Sequence, residues 1–172
     1  MSSKLVSNCF CCGGNKLKQV FSLKNAPLTD IYHIDKKQAL KLKKYPLSLN
    51  LCSDCSHLQL KHQVTKEESY DRYMYLSSIT TGLNNSFIDY ANSISELYPS
   101  GARVLDIGSN DGSFLQACIN VGLKAIGIEP AQELAEYANK NNRPTLTSYL
   151  NEDIEAALTS KGFYQKYNII TF

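Results

Sequence analysis

Four cysteines stand as two pairs, Cys9-x-x-Cys12 and Cys52-x-x-Cys55, 39 residues apart. Two residues between thiolates let each pair bend around one ion, and two such knuckles complete a tetrahedral S4 site with Zn–S near about 2.3 Å. Gly13 and Gly14 follow the first pair, where a glycine permits a turn with φ > 0 and a close approach of backbone amides to sulfur. Disulfides are disfavoured because the N-terminus "MSSKLVSNCF" lacks the apolar run of a secretion signal. A redox pair would be expected once, beside a βαβ pattern, not twice. Four thiolates close the coordination sphere, so such a zinc holds a fold and performs no Lewis-acid chemistry. Cys11 lies inside the first knuckle and competes with Cys12 as a ligand. Cys118 falls on the apolar face of a predicted helix and reads as an inert core thiol. His33, His57 and His62 read as ordinary surface or packing residues, with His57 near enough to support a sulfur.

The second stretch with chemical potential is "VLDIGSNDGSF", residues 104–114. An apolar strand ends in Asp106, and a turn of Gly108, Ser109, Asn110, Asp111 and Gly112 follows. A dinucleotide fingerprint would place a glycine where Asn110 stands, and Asp111 puts negative charge where a pyrophosphate would lie. A ligand with a cationic or zwitterionic end suits the turn better, and S-adenosylmethionine has both an α-amino group and a sulfonium. Asn and Asp tolerate left-handed backbone, so the turn is feasible without a central glycine. Glu129, closing the next apolar run in "GIEPA", can accept hydrogen bonds from both ribose hydroxyls.

The elements that must position these groups follow from the pattern. We expect an α/β protein: a small zinc-ribbon-like domain over residues 1–66, then a partial Rossmann-like parallel sheet. Residues 67–100 form a Tyr-rich segment and linking helix, and residues 101–172 the N-terminal part of an S-adenosylmethionine-binding domain. Between the cysteine pairs, alternating apolar residues and two prolines predict an extended excursion with little helix. Phe87, Tyr90, Ala91, Ile94, Leu97 and Tyr98 have helical spacing, with Asn85 or Ser86 as N-cap and Pro99 and Gly101 as the stop. From Arg103 the chain reads strand 103–108, helix 112–121, strand 124–129, helix 131–141, a weak strand 145–149, helix 151–159 and strand 167–172. That alternation builds a parallel sheet with right-handed crossovers, and ligands bind outside its carboxyl ends.

Residues 1–66 carry 11 Lys, 3 Asp and no Arg, a charge of +8, whereas residues 67–172 carry −6. A basic front half leaves a non-enzymatic zinc-ribbon module that binds nucleic acid as the alternative function. The lack of Arg, the residue favoured for phosphate and base forks, argues against it. No apolar run approaches the roughly 20 residues of a membrane-spanning helix, and a cytoplasmic location is expected.

Taken together, "CFCCGG…CSDCSHLQL", "YDRYMYLSS", "LDIGSNDGSFL" and "GIEPAQELAEYA" resemble the nucleotide-sugar C-methyltransferases over nearly the whole chain. That family has a zinc-binding N-terminal domain, a central class I methyltransferase domain and a C-terminal domain of related fold. The resemblance implies that Cys9, Cys12, Cys52 and Cys55 hold zinc. It also implies that Asp106, Gly108, Asn110, Asp111, Gly112 and Glu129 serve the S-adenosylmethionine pocket, and that the Tyr-rich segment faces a nucleotide-linked keto sugar. Tyr75, with Tyr73 second, is the candidate donor to an enolate oxygen. The resemblance places the family's acid–base groups past Phe172. The 172 residues are therefore expected to bind without turnover and to self-associate through an open sheet edge.

Overall fold

The computed structural model describes residues 3–29, 31, 33–70, 75–151, 153–163 and 166–172. The chain divides into two compact units, Met1–Met74 and Tyr75–Phe172. Among the described residues no helix is long and apolar enough to cross a membrane.

The first unit is built of strands. β1 (Ser3–Leu5) pairs antiparallel with β5 (His62–Val64), and β2 (Leu17–Pro27), β3 (Lys44–Cys52) and β4 (Leu58–Leu60) form an antiparallel sheet in the order β2-β3-β4. Two register shifts, at Gln19/Phe21 and Leu23/Ala26, bend β2 along β3. The excursion between the knuckles is thus a long hairpin. Among the described residues its Lys-rich turn contains the five-residue α1 (Lys36–Leu40), capped by the Asp35 carboxylate accepting from the Lys37 amide. Lys43 pairs with Glu68 of α2 (Lys66–Tyr70) and lies 5.2 Å over the Tyr45 ring. Apolar burial here is sparse: Cys9, Tyr45 and Cys52 are buried, while Phe21, Leu23, Leu58 and Leu60 of the sheet stay exposed.

The second unit follows the expected alternation closely. α3 (Thr81–Leu97) precedes β6 (Arg103–Ile107), α4 (Ser113–Asn120), β7 (Lys124–Glu129), α5 (Gln132–Lys140), β8 (Thr145–Thr147), α6 (Ile154–Ser160) and β9 (Ile169–Thr171). The strands run parallel in the order β8-β7-β6-β9. Successive side chains of a strand face opposite ways. Val104 and Ala125 accordingly meet Phe114, Leu115 and Cys118 of α4 with Ala91 and Ile94 of α3, whereas Leu105 and Ile128 meet Leu146 and Leu158. Cys118 is fully buried, and that burial pushes its thiol up to about 12, as suits an inert core cysteine.

α3 begins five residues earlier than the apolar periodicity indicates. A 3-10 turn (Ser77–Ile79) leads into it, Thr80 takes the N-cap position, and Asn84 donates to the Ser78 carbonyl at 3.0 Å. Those contacts, not Asn85 or Ser86, fix the start. Tyr90 stacks on Phe114 with centroids 5.4 Å apart, and Ile94 is buried, but Leu97 at the end of α3 remains exposed. α3 packs on α4 within the second unit.

Candidate functional site

The candidate metal centre gathers the sulfurs of Cys9, Cys12, Cys52 and Cys55 within 4.8 Å of one another. Cys9 and Cys55 approach to 3.6 Å and Cys12 and Cys52 to 3.7 Å. A regular tetrahedron with Zn–S of about 2.3 Å has S···S edges of roughly 3.8 Å, so the donor set fits the ion closely. Cys11 is exposed and outside the cluster, which answers its competition with Cys12.

The two knuckles are near copies of each other. After each second cysteine the chain turns left-handed, at Gly13 (φ 74°) and at Ser56 (φ 61°). In each, that residue's amide donates 2.9 Å back to the carbonyl of the first cysteine, Gly13 to Cys9 and Ser56 to Cys52. Backbone amides then turn toward sulfur: Cys12 and Cys11 toward Cys9, Gly14 toward Cys12, His57 toward Cys55. His57 thus serves the site through its backbone. The Cys12 amide holds the Cys9 thiol down to about 6; at Cys55 the His57 amide lowers the thiol, but crowding by Cys12 and the other sulfurs and burial outweigh it and leave it raised. Four sulfurs this close cannot all ionise against one another, and a divalent cation removes the conflict.

Sequence reasoning missed Gln59. Buried on β4, its Oε1 accepts from the Phe10 amide at 2.9 Å and its Nε2 donates to the Asn8 carbonyl at 3.1 Å, clamping the first knuckle. A polar residue inside the alternating "HLQL" strand is the one available signal.

The second site lies where the order of the parallel strands reverses. β6 is followed in space by β7 on one side and β9 on the other, and open α/β sheets bind ligands at such a point beyond the carboxyl strand ends. A cleft of about 200 Å³ occupies it, walled by Asp106, Gly108, Ser109 and Asn110 of the turn, Phe114 of α4 and Ser77 of the 3-10 turn. Gly108, Asn110 and Gly112 all take positive φ (76°, 52° and 73°), so the turn is left-handed through most of its length. Gly112 also has no room for a side chain, since a Cβ would lie 2.9 Å from Cβ and Cδ of Arg143.

The acids in and around the turn, Asp111 within it, Asp106 on β6 and Glu129 at the end of β7, are disposed differently from one another. Glu129 is buried; Oε2 accepts from the Asn110 amide at 2.9 Å and Oε1 from the Ala131 amide at 2.8 Å, leaving each oxygen a further lone pair. Burial raises its carboxyl against the lowering effect of those amides. Asp106 accepts 2.6 Å from the Thr171 hydroxyl on β9, and burial raises it too, joined by the nearby Glu129 charge. Asp111 is completely buried and turns away from solvent: Oδ2 accepts from the Ser78 amide at 2.9 Å, Oδ1 from the Ser113 amide at 3.0 Å and its hydroxyl at 2.7 Å. Burial alone would raise Asp111, but the hydrogen bonds from Ser78 and Ser113 outweigh it and hold the group below its ordinary value. Its carboxylate therefore holds α4 and the 3-10 turn.

Asn110 is equally committed to protein. Its Oδ1 accepts from the Ser77 amide at 3.0 Å and from the Asp111 amide at 2.8 Å, and its Nδ2 donates to the Tyr75 carbonyl at 3.0 Å. The Tyr75 hydroxyl meets the Thr80 hydroxyl at 3.0 Å. Tyr73 lies outside the described residues. Gly127 escaped notice in the sequence: an ideal Cβ there would fall 2.1 Å from Ser109 Oγ and 3.0 Å from Leu115 Cδ1. A glycine inside a strand signals such a close approach.

The four clustered cysteines of the first unit and the parallel sheet of the second define a zinc-binding domain followed in the chain by a Rossmann-like α/β unit. Residues 9–70 match the family described as "Putative zinc binding domain". The chain is 23% identical over 162 residues to C-methyltransferase NovU of Streptomyces niveus, covering 91% of this chain and 38% of that protein. It thus spans under two-fifths of the length of the curated relative it matches. Two solved structures are similar. One is a "Putative methyltransferase from antibiotic biosynthesis pathway" of Anabaena variabilis, with TM-score 0.32, 29% identity, and coverage of 36% of this chain and 26% of that one. The other is an S-adenosylmethionine-dependent methyltransferase of Archaeoglobus fulgidus, with TM-score 0.34, 22% identity, and coverage of 45% and 33%. These likenesses agree with the resemblance read from the motifs: residues 9–70 match a zinc-binding domain family, and most of the chain is similar to part of a C-methyltransferase.

Proposed function

We propose that this chain is the zinc- and cofactor-binding portion of an S-adenosylmethionine-dependent C-methyltransferase acting on a nucleotide-linked keto-deoxy sugar. The observation that carries the cofactor reading is the buried Glu129 at the end of β7, tied at 2.9 Å to the left-handed turn that ends β6. Two free lone pairs on one carboxylate suit the two vicinal hydroxyls of a ribose. The relationship to a C-methyltransferase supports carbon as the methyl acceptor.

When bound, S-adenosylmethionine supplies an electrophilic methyl for an enolate carbon next to the sugar ketone. The chain's own residues orient and shelter. Gly108 and Gly112 shape the turn, Asp106 stands at the cleft beside Thr171, and Glu129 selects a ribose. Phe87, Tyr90 and Phe114 give the cleft an apolar wall that excludes water from a methyl group. Tyr75 is the group we assign to the enolate oxygen, where a donated hydrogen bond stabilises developing charge. We assign these residues to binding and orientation and none of them to removal of the sugar proton, so residues 1–172 alone are expected to bind and not turn over. Zinc on Cys9, Cys12, Cys52 and Cys55 is structural in this reading, because the four thiolates leave no open position.

Calorimetry with S-adenosylhomocysteine and with NAD tests the cofactor assignment. Tight binding of the former, weakened about tenfold or more by Glu129→Gln, is expected. Equal affinity for NAD would sink it.

A further inference from the structure

The residues that the motif singles out as ligand contacts, Asn110 and Asp111, spend their side chains on the chain itself, and on one segment in particular. Ser77 and Ser78 donate their amides to Asn110 Oδ1 and Asp111 Oδ2, and Asn110 Nδ2 returns a hydrogen bond to the Tyr75 carbonyl. Three hydrogen bonds thus bind residues 75–79 to a two-residue stretch of the turn. Ser77, so held, forms part of the cleft wall together with Gly108 and Asn110. The backbone of the same Asn110 donates to Glu129. One residue therefore joins the cofactor acid, the cleft and the segment that begins with Tyr75.

We propose that Asn110 and Asp111 are positioning residues that latch residues 75–79 as one wall of the cofactor cleft, so that filling the cleft and holding Tyr75 in place are linked equilibria. The proposal rests on the cofactor reading above. Its physical basis is reciprocity: a ligand that packs against the latched wall favours the latched state, and unlatching must weaken the ligand by the same factor. Two alternatives are disfavoured by the geometry. Asp111 is fully buried with both oxygens engaged, so it offers no charge to a cationic ligand end. Asn110 has already turned its amide to Tyr75 and Ser77, so backbone conformation alone does not explain an asparagine there. A glycine would meet the positive φ at least as well.

Amide hydrogen exchange, read by NMR at Ser77 and Ser78 in the 172-residue chain with and without S-adenosylhomocysteine, tests this, with Leu105 and Ile128 as core controls. Saturating ligand should slow Ser77 and Ser78 several-fold. Asn110→Gly keeps the left-handed backbone and deletes the latch. It should speed Ser77 by about five- to tenfold, with no change at the controls. It should also weaken S-adenosylhomocysteine by the factor of ligand protection that it abolishes. Asn110→Asp, which keeps an acceptor for the Ser77 amide, should restore most of Ser77's protection. Ligand binding by calorimetry without any change at Ser77 and Ser78 would overturn the latch and leave the cofactor reading intact. Absence of binding would overturn both. Equal acceleration of Leu105 and Ile128 in Asn110→Gly would make Asn110 a general determinant of the fold and end its assignment as a positioning residue.

Discussion

The two candidate sites use their motif residues in opposite ways. In the first unit the four cysteines converge on a common point and leave their sulfurs for an ion, while the surrounding chain serves them: paired left-handed turns, amides aimed at sulfur, and Gln59 holding the first knuckle. In the second unit, Asn110 and Asp111 are spent on holding neighbours, whereas Glu129 and Asp106 keep carboxylate lone pairs beyond those their protein donors use. The difference follows from what stabilises each unit. Among the described residues the first buries little apolar side chain beyond Tyr45 and two of the cysteines, so a bound ion is proposed to take the part of a core there. The second packs Val104, Leu115, Cys118 and Ile128 almost completely and can hold a polar turn on that support. A metal motif can be read as a list of ligands; a turn motif on a packed sheet is read as scaffold first.

Removing the ion should expose this contrast most sharply. Chelation, or Cys52→Ser, is expected to unfold the first unit, since structural zinc in small domains contributes on the order of 10 kcal/mol. Circular dichroism should keep the helical signal of the second unit, and native mass spectrometry should show the loss of one zinc per chain. Full zinc retention in Cys52→Ser would break the comparison at its root.

Gly127→Ala is next in size. Its methyl would collide with Ser109 and Leu115, and overpacking of this kind costs about 1–3 kcal/mol. Because Ser109 belongs to the turn, S-adenosylhomocysteine affinity should fall with stability in denaturant titration and calorimetry. A variant with lowered stability and unchanged affinity would separate turn from cleft.

Gln59→Leu leaves the Phe10 amide and Asn8 carbonyl without partners and is expected to cost about 1–3 kcal/mol, seen as a lower zinc affinity in chelator competition. The second unit's urea midpoint should not move.

The smallest effects are in the acids. Asp111 is lowered in the fold, so it contributes stability above the ordinary value of 3.8 that is lost as pH falls through its folded value. Asp106 is raised, so its contribution has the other sign: full below 3.8 and lost as pH rises through its folded value. In urea titrations at a series of pH values, Asp111→Asn should flatten the acid limb of the stability curve. Asp106→Asn should make the second unit relatively more stable as pH rises past the carboxylate range. Like responses in the two variants would contradict the assigned roles.

By itself the sequence determined the parallel α/β unit nearly element by element, because Gly and Pro punctuate alternating apolar strands and amphipathic helices from Arg103 onward. It determined the cysteine cluster too, since the two-residue spacing is a local constraint that any fold must obey. The left-handed turn at residues 108–112 was equally legible in its glycines and its Asn-Asp pair. Tertiary structure decided the competition between Cys11 and Cys12, since the Cys12 sulfur gathers with those of Cys9, Cys52 and Cys55 and the Cys11 sulfur does not. It decided the start of α3, which contacts from Ser78 and Thr80 draw five residues ahead of the apolar pattern. It also decided that Asp111 faces protein amides and not a ligand, that Thr171 meets Asp106 across 65 positions of chain, and that Gly127 makes way for Ser109. A side chain's partners depend on which strands and turns become neighbours, and a buried carboxylate must find donors wherever the packing supplies them. Residue type and spacing carry the first kind of information; only the assembled sheet carries the second.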